Sequence, residues 1–339
     1  SLPRLIEESR SEAGSSLKAD TAEPGTAFSS DLPDHRESPF HAWVPIMTGC
    51  NNFCSYCIVP YVRGRERSRA MEDVVAEVKA LVADGVREVC LLGQNVNSYG
   101  RDRYGEPRFA ELLRAVAATG VERIRFTSSH PKDLTDETIA AMAELPAVMP
   151  QLHLAVQSGS TDVLRRMNRK YTRKDYLDLV RRIRAAMPDI ALSTDIIVGF
   201  PNETEEDFLE TLSLVREAAF SSAFTFIYSK REGTPAAAVD DPTPRDEIQG
   251  RFDRLVALVQ EQSWDYNRRQ VGRTVDVLVE GPSKKDPGVL TGHSPENVTV
   301  LFEAPEGADS ADLVGKVVPV EVLDGRPWYL RGTCAGGPR

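Results

Sequence analysis

Cys50, Cys54 and Cys57 fall within eight residues, three of the five cysteines in a chain of 339. A disulfide takes cysteines in pairs, so a triplet this tight leaves one over. Three thiolates on one short loop can instead ligate three corners of a [4Fe–4S] cube. That leaves the fourth iron without a protein ligand and open to a small molecule. Two plainer readings stand beside this one. With His41 or His35 the triplet could complete a structural zinc site, although C-x3-C-x2-C lacks the paired C-x2-C halves of zinc ribbons. Three reduced thiols could also pack in a core, against which Gly49, Asn51, Asn52 and Ser55 read as an open loop.

The length is enough for two domains. An odd cysteine count with three clustered does not read as a secreted disulfide framework. The sequence has no run of eighteen apolar residues and no apolar core of a signal peptide near its start. The expectation is a soluble, cytoplasmic protein with no membrane segment. A net charge of −10 argues against a uniformly basic surface while leaving room for local basic patches. The first residue is Ser1, from which the chain is expected to be a piece of something longer.

Residues 1–40 are rich in Ser, Glu, Asp, Ala and Pro and show no sustained period, so they read as a linker and the remnant of a preceding domain. From His41 strands alternate with amphipathic helices. The strands are expected at Ala42–Met47, Glu88–Leu92, Arg123–Thr127, Leu152–Val156, Ile190–Val198 and Ala223–Tyr228. The helices are expected at Ala70–Ala83, Phe109–Ala118, Thr135–Leu145 and, as one or two, Thr161–Met187. Thr204-Glu-Glu-Asp207 opens a further one. Six βα-type units imply a parallel sheet with right-handed crossovers, open or curled into a partial barrel. Chemistry in such sheets gathers at the C-terminal strand ends, and the cysteine loop directly follows the first strand. A helix over about 245–269 then leads to short β-type runs from Val271, expected to form a small five-stranded antiparallel barrel.

The loops after the other strands are polar. Gln94, Asn95, Ser129, Gln157 and Asp195 are expected to converge at one end of the sheet as donors and acceptors, the carboxylate being suited to a ribose diol. Singly, each is as well read as an ordinary cap or turn. Residues 162–184 carry nine basic against three acidic side chains, a local +6, and Arg63, Arg65, Arg67 and Arg69 follow the cysteine loop. Such a run is either a solvated helix face or a phosphate-binding footprint for nucleic acid. Cys90, mid-strand, reads as a buried inert thiol, Cys334 as part of a Gly-rich tail, and His130 and His153 as structural hydrogen-bonders.

Gly49–Gly64, Gly93-Gln-Asn-Val-Asn-Ser-Tyr99, Thr127-Ser-Ser-His-Pro131 and Leu154-Ala-Val-Gln-Ser-Gly-Ser160 resemble the radical S-adenosylmethionine (SAM) methylthiotransferases, and within them the tRNA branch. The likeness covers about residues 40–333. It implies an α/β fold: a partial (βα)6 TIM-like radical SAM barrel followed by a small all-β TRAM (OB-like) barrel. The domains would be 1–40 linker, 41–270 radical SAM core, 271–333 TRAM domain and 334–339 tail. It also implies methylthiolation at C2 of N6-isopentenyladenosine beside the anticodon of a tRNA, with Cys50, Cys54 and Cys57 holding the SAM-cleaving [4Fe–4S] cluster. Tyr56, Gln94, Ser129, Gln157 and Asp195 would meet SAM. Arg63, Arg65, Asn95, Arg165, Arg166 and Arg173 would meet the tRNA. The electron would come from a donor such as flavodoxin or ferredoxin, to an enzyme acting as a monomer.

The family carries its sulfur on a second [4Fe–4S] cluster held by three further cysteines, which Cys90 and Cys334 cannot supply. The expectation is a chain that binds and cleaves SAM without completing methylthiolation alone. Residues 271–332 hold six basic and ten acidic side chains, a net −4. An acidic barrel fits a protein substrate, as in the ribosomal-protein branch, better than tRNA, while the loop motifs favour tRNA. A third reading, a non-catalytic iron–sulfur or zinc protein that binds RNA, would make the polar strand ends incidental.

Overall fold

A computed structural model describes residues 36, 38–304 and 309–338. The expected linker lies outside them except for its last residues, and so does His35. The first strands are β1 (His41–Pro45), β2 (Met47–Thr48), β3 (Arg67–Ser68), β4 (Glu88–Leu92), β5 (Arg123–Phe126), β6 (Gln151–His153), β7 (Ala191–Val198) and β8 (Ser222–Ile227). β1, β4 and β5 form one parallel sheet in that order, and β6, β7 and β8 another. Isolated parallel bridges, Ile124 to Val148 and Ser129 to Leu154, join the two into one curved wall edged by β1 and β8. This is the partial barrel that right-handed crossovers build.

Helices cover its outer face: α1 (Val59–Arg63), α2 (Met71–Ala83), α3 (Arg101–Tyr104), α4 (Phe109–Ala117), α5 (Asp136–Glu144), α6 (Thr161–Arg166), α7 (Arg173–Ala186), α8 (Glu205–Ala218) and α9 (Arg245–Arg268). α7 and α8 each open on a reciprocal capping box, Thr172 with Asp175 and Thr204 with Asp207, so two orphan amides at each start are satisfied. The helical run expected over 161–187 is two helices, parted at Asn168 with φ 58°. β6 is shorter than expected: past His153 the Leu154 carbonyl and the Val156 amide bond the Thr194 hydroxyl in place of a neighbouring strand's backbone. Along β7, Leu192, Ile196 and Val198 enter the core under the helices, while Ser193, Asp195 and Ile197 face the other way, into the barrel.

The C-terminal strands β9 (Thr274–Pro282), β10 (Val289–His293), β11 (Thr299–Glu303), β12 (Val317–Gly325) and β13 (Leu330–Cys334) close into a barrel of order β10-β11-β13-β12-β9. Its core holds Val277, Val279, Leu290, Val300 and Phe302. The barrel is not wholly antiparallel as expected: β11 and β13 pair in parallel. The connection containing α10 (Ser310–Leu313) carries the chain to β12, whose hairpin with β13 returns beside β11 in the same direction.

The small barrel is docked on the N-terminal ends of the parallel strands. Arg123 donates to the carbonyls of Asp276 (2.6 Å) and His293 (3.2 Å), and Arg125 to those of Ser294 (2.8 Å) and Pro295 (2.9 Å). From α9, Trp264 Nε1 reaches the Gly325 carbonyl at 2.9 Å and Asn267 Nδ2 that of Arg326 at 2.6 Å. A Cβ on Gly325 would lie 2.5 Å from the Asn267 carbonyl oxygen, which explains glycine at that close approach. The opposite, C-terminal strand ends are left to the cysteine loop. Among the described residues no helix is long and apolar enough to cross a membrane.

Candidate functional site

The cysteine loop leaves β2 through Gly49, at φ 78°, where a Cβ would fall 2.1 Å from the Arg65 carbonyl oxygen. Only glycine fits there without moving backbone. The loop is then pinned from several sides. Cys50 N donates to the Gly64 carbonyl (3.2 Å), and Asn51 donates through its backbone and side chain to the Glu66 carboxylate, both at 3.2 Å. Asn168 Nδ2 donates to the Phe53 carbonyl at 2.8 Å. Ser55 donates to the carbonyls of Met167 (3.0 Å) and Arg166 (2.8 Å) and accepts from Ala236 N (2.8 Å). A tight turn from Cys57 N to the Cys54 carbonyl (3.0 Å) brings the last two cysteines together.

All three are free thiols, Cys54 buried and the other two half-buried. Burial pushes the Cys50 thiol up to about 11 and also raises Cys57, and neighbouring thiolates add to both. Metal coordination reverses that preference by drawing off the protons. A cation already waits: Arg169 Nη1 lies 3.4 Å from Cys54 Sγ. Among the described residues no three His, Cys, Asp or Glu side chains converge on a point that could hold one metal ion. A cube takes one thiolate at each of three irons, so its ligands need not converge, and the donor set fits it. His41 stands at the far end of β1, 3.9 Å from Glu88, away from this loop. Glu88 also helps to line a cavity of about 320 Å³ beside the small barrel, with His41, Trp43, Cys90, Arg125 and His293. Burial there pushes the Cys90 thiol up to about 12.

The loops after β4 and β5 interlock with the cysteine loop. Lys132 Nζ donates to Asn52 Oδ1 (2.7 Å), Asn95 Nδ2 to Asp133 (2.8 Å), and His130 N to Asn97 Oδ1 (3.1 Å). Burial lowers the His130 imidazole to about 2, which keeps it neutral and structural. In this region Gln94 Oε1, Asn95 Oδ1 and Ser129 Oγ are buried with no hydrogen-bond partner among the described residues. Each such atom costs about 1–3 kcal/mol unless a ligand satisfies it. Tyr56 packs with Met167, Ile197 and Phe200.

Gln157 and Asp195 are tied to each other. The Gln157 backbone is bonded to Asp195 and Ile197, at 2.8 and 2.9 Å. Asp195 sits mid-strand, its carboxylate 3.2 Å from His153 Nε2, whose Nδ1 is 3.1 Å from Ser193 Oγ.

The basic residues also divide. Arg63 and Arg65 are exposed beside the loop, Arg65 stacked 4.6 Å over the Phe53 ring. Arg165 is exposed and paired with Asp162 at 3.0 Å. Arg166 is instead spent on the carbonyls of Pro201 and Asn202 (both 2.7 Å) and on Asp207 (2.9 Å). Arg173 reaches the Glu210 carbonyl (2.5 Å) and Ser213 Oγ (3.2 Å). Arg182 and Lys174 pair with Asp136 and Asp178. Three of the six excess charges thus meet carboxylates outside the run, Asp207, Glu217 and Asp136, while Arg165, Lys174, Arg181 and Arg182 stay more than half exposed.

Three site features escaped the sequence reading. Arg169 was hidden in the basic run, its only signal being a place between two helices rather than on one. Trp43 on β1 and Phe224 on β8 are each 60 % exposed, with Phe226 at 51 %, at the two edges of the open barrel. Alternation along β8 puts Phe224 and Phe226 on one face, and that much was readable.

Residues 44–215 match the Radical SAM superfamily model and residues 268–335 the TRAM domain model. The chain is 51 % identical to a tRNA-2-methylthio-N(6)-dimethylallyladenosine synthase of Streptomyces griseus, over 99 % of this chain and 68 % of that one. It is 52 % identical to the protein of that name in Clostridium novyi, over 98 % of this chain and 72 % of the other. It thus spans about two thirds of the length of these relatives. Among solved structures, coproporphyrinogen III oxidase from Escherichia coli aligns with a TM-score of 0.49 and 14 % identity, over 77 % of this chain and 68 % of that one. On sequence identity, coverage and the two matched models, the chain belongs to the tRNA-2-methylthio-N(6)-dimethylallyladenosine synthase family of radical SAM transferases.

Proposed function

We propose that this chain carries the radical SAM half of tRNA methylthiolation at C2 of N6-isopentenyladenosine. Cys50, Cys54 and Cys57 hold a [4Fe–4S] cluster whose fourth iron takes SAM. A cluster held there would supply, once reduced by an external donor, the one electron that breaks the C5′–S bond of SAM into methionine and the 5′-deoxyadenosyl radical. The carrying observation is the set of unpartnered buried atoms on Gln94, Asn95 and Ser129, facing loops that interlock with the cysteine loop. These groups offer acceptors and a hydroxyl to a polar ligand, at little reorganisation because the loops are already cross-tied. Tyr56 walls the pocket with Ile197 and Phe200. Gln157, in the loop after β6, and Asp195 on β7 contribute beside them, Asp195 after exchanging His153 for a ribose hydroxyl.

The substrate end of the site is aromatic and open. Phe224 and Phe226 offer flat apolar faces to a flipped, prenylated adenine, and base stacking needs no sequence-specific contact. Arg63, Arg65 and Arg165 are the exposed cations suited to phosphates nearby. Arg166 and Arg173 serve the fold around them, while Asn95 spends its amide on Asp133 and keeps its Oδ1 for the ligand. The small barrel docks at the far strand ends through carbonyls, so its net −4 need not face the reacting base. An external donor such as flavodoxin or ferredoxin reduces the cluster, and the protein works as a cytoplasmic monomer.

A second [4Fe–4S] cluster as sulfur carrier needs cysteines beyond these five, since Cys90 is buried in β4 and Cys334 ends β13. The 339 residues on their own therefore cleave SAM without delivering a methylthio group. The test is a turnover assay on isopentenylated tRNA with reductant, reading 5′-deoxyadenosine and methylthiolated nucleoside together. The first without the second is expected. Methylthiolated product from this chain alone would overturn the division of labour.

A further inference from the structure

Arg169 is buried, and each of its three nitrogens donates a hydrogen bond. Nε donates to the Tyr171 hydroxyl (2.8 Å), Nη2 to the Ala155 carbonyl (2.7 Å), and Nη1 to Cys54 Sγ (3.4 Å). The Tyr171 ring lies 5.2 Å from its Cζ, and the Tyr171 hydroxyl in turn donates to the Val156 carbonyl at 2.9 Å. No carboxylate pairs with Arg169 among the described residues. A buried charge needs a countercharge, and of the two acidic groups in contact, the Tyr171 phenol and the Cys54 thiol, cluster binding would convert the thiol to thiolate.

Resting on the assignment of Cys50, Cys54 and Cys57 to the cluster, we infer that Arg169 is a positioning residue that sets the cluster's reduction potential. A [4Fe–4S]²⁺ core with three thiolates carries one net negative charge, and one electron from an external low-potential donor makes it two. A fixed cation on a ligand sulfur stabilises the more negative state, and hydrogen bonds to sulfur and net charge are established determinants of such potentials. No bond or proton at Arg169 changes during the step. The guanidinium thereby makes the cluster easier to reduce. Its hold on the Ala155 carbonyl also fixes the position of Cys54 relative to the loop after β6.

The test is a potentiometric titration of the reconstituted cluster, followed by its EPR signal, in wild type, Arg169→Gln and Arg169→Lys, with iron and sulfide content measured for each. Arg169→Gln is expected to lower the reduced-to-oxidised ratio at a given poise at least tenfold, a shift of ~59 mV to more negative potential for one electron. Arg169→Lys should recover most of it. An unmoved potential in a fully loaded Gln variant overturns the inference, because a purely structural tie would leave the potential alone. If the Gln variant takes up no cluster, retention by the Lys variant supports a requirement for charge. Loss from both overturns it, since the shape of the guanidinium would then be what matters. Failure of the wild type to hold a cluster would instead defeat the ligand assignment beneath it.

Discussion

Arg125 Nη2 donates to the Ser294 carbonyl at 2.8 Å, joining a strand of the parallel wall to the small barrel, while its Nε lies 3.1 Å from the buried Glu88 carboxylate. One side chain thus serves an interface and a buried ion pair. Arg125→Met would strand Glu88 without its cation, and removing one partner of a buried pair costs about 3–5 kcal/mol. Urea unfolding followed by tryptophan fluorescence should show that loss. Glu88→Gln in the same background should return part of it.

Gly49→Ala should impair cluster assembly at modest cost to the rest of the fold. The new Cβ meets the Arg65 carbonyl oxygen at 2.1 Å in a left-handed backbone, and such strain costs roughly 1–3 kcal/mol before any clash is counted. The loop that presents Cys50 must shift. Iron per chain after reconstitution should fall severalfold while far-UV circular dichroism is unchanged.

Burial raises the Glu203 carboxyl to about 7, above its ordinary 4.5, against the lowering pull of the Gly199 amide and Arg251. A raised acid pKa means that the folded state holds the proton more tightly than the unfolded state. The stability it contributes is complete below 4.5 and is lost as pH rises through 7, an amount on the order of 3 kcal/mol. Glu203→Gln keeps an acceptor for Gly199 and removes the titration. The wild-type-minus-variant difference in urea midpoint should therefore move against the wild type between pH 5 and pH 8.

Phe224→Ala should weaken binding of an isopentenylated anticodon stem-loop by roughly 1–3 kcal/mol, the range for one stacked base. Arg65→Ala should weaken it less selectively and reduce the salt slope by about one ion. Filter binding across a salt series separates the two. An unaltered slope in Arg65→Ala would remove that side chain from the phosphate contacts.

How far the sequence reaches depends on which forces are local. The helices and strands were legible because apolar period and capping residues act over a few positions, as Thr204 and Asp207 show. The cysteine loop was legible because its chemistry is carried by spacing. The direction of β13 was not, since pairing with β11 is decided by a connection across the barrel. Nor was the fate of part of the basic run: Arg166 is tied down, and Arg169 buried, by partners at residues 201–207 and at 54, far along the chain. Charge counted along a sequence overstates charge offered at a surface whenever tertiary partners absorb it. The pairing of Asp195 with His153 on β6 likewise leaves no trace in local pattern.

The central claim is that Cys50, Cys54 and Cys57 hold the cluster that cleaves SAM. Its most direct test is anaerobic reconstitution followed by dithionite and SAM, with 5′-deoxyadenosine quantified in the wild type and in a Cys50/Cys54/Cys57→Ala triple variant. The account predicts 5′-deoxyadenosine from the wild type and none from the variant. Equal product from both, or a wild type that binds zinc and assembles no cluster, would contradict it.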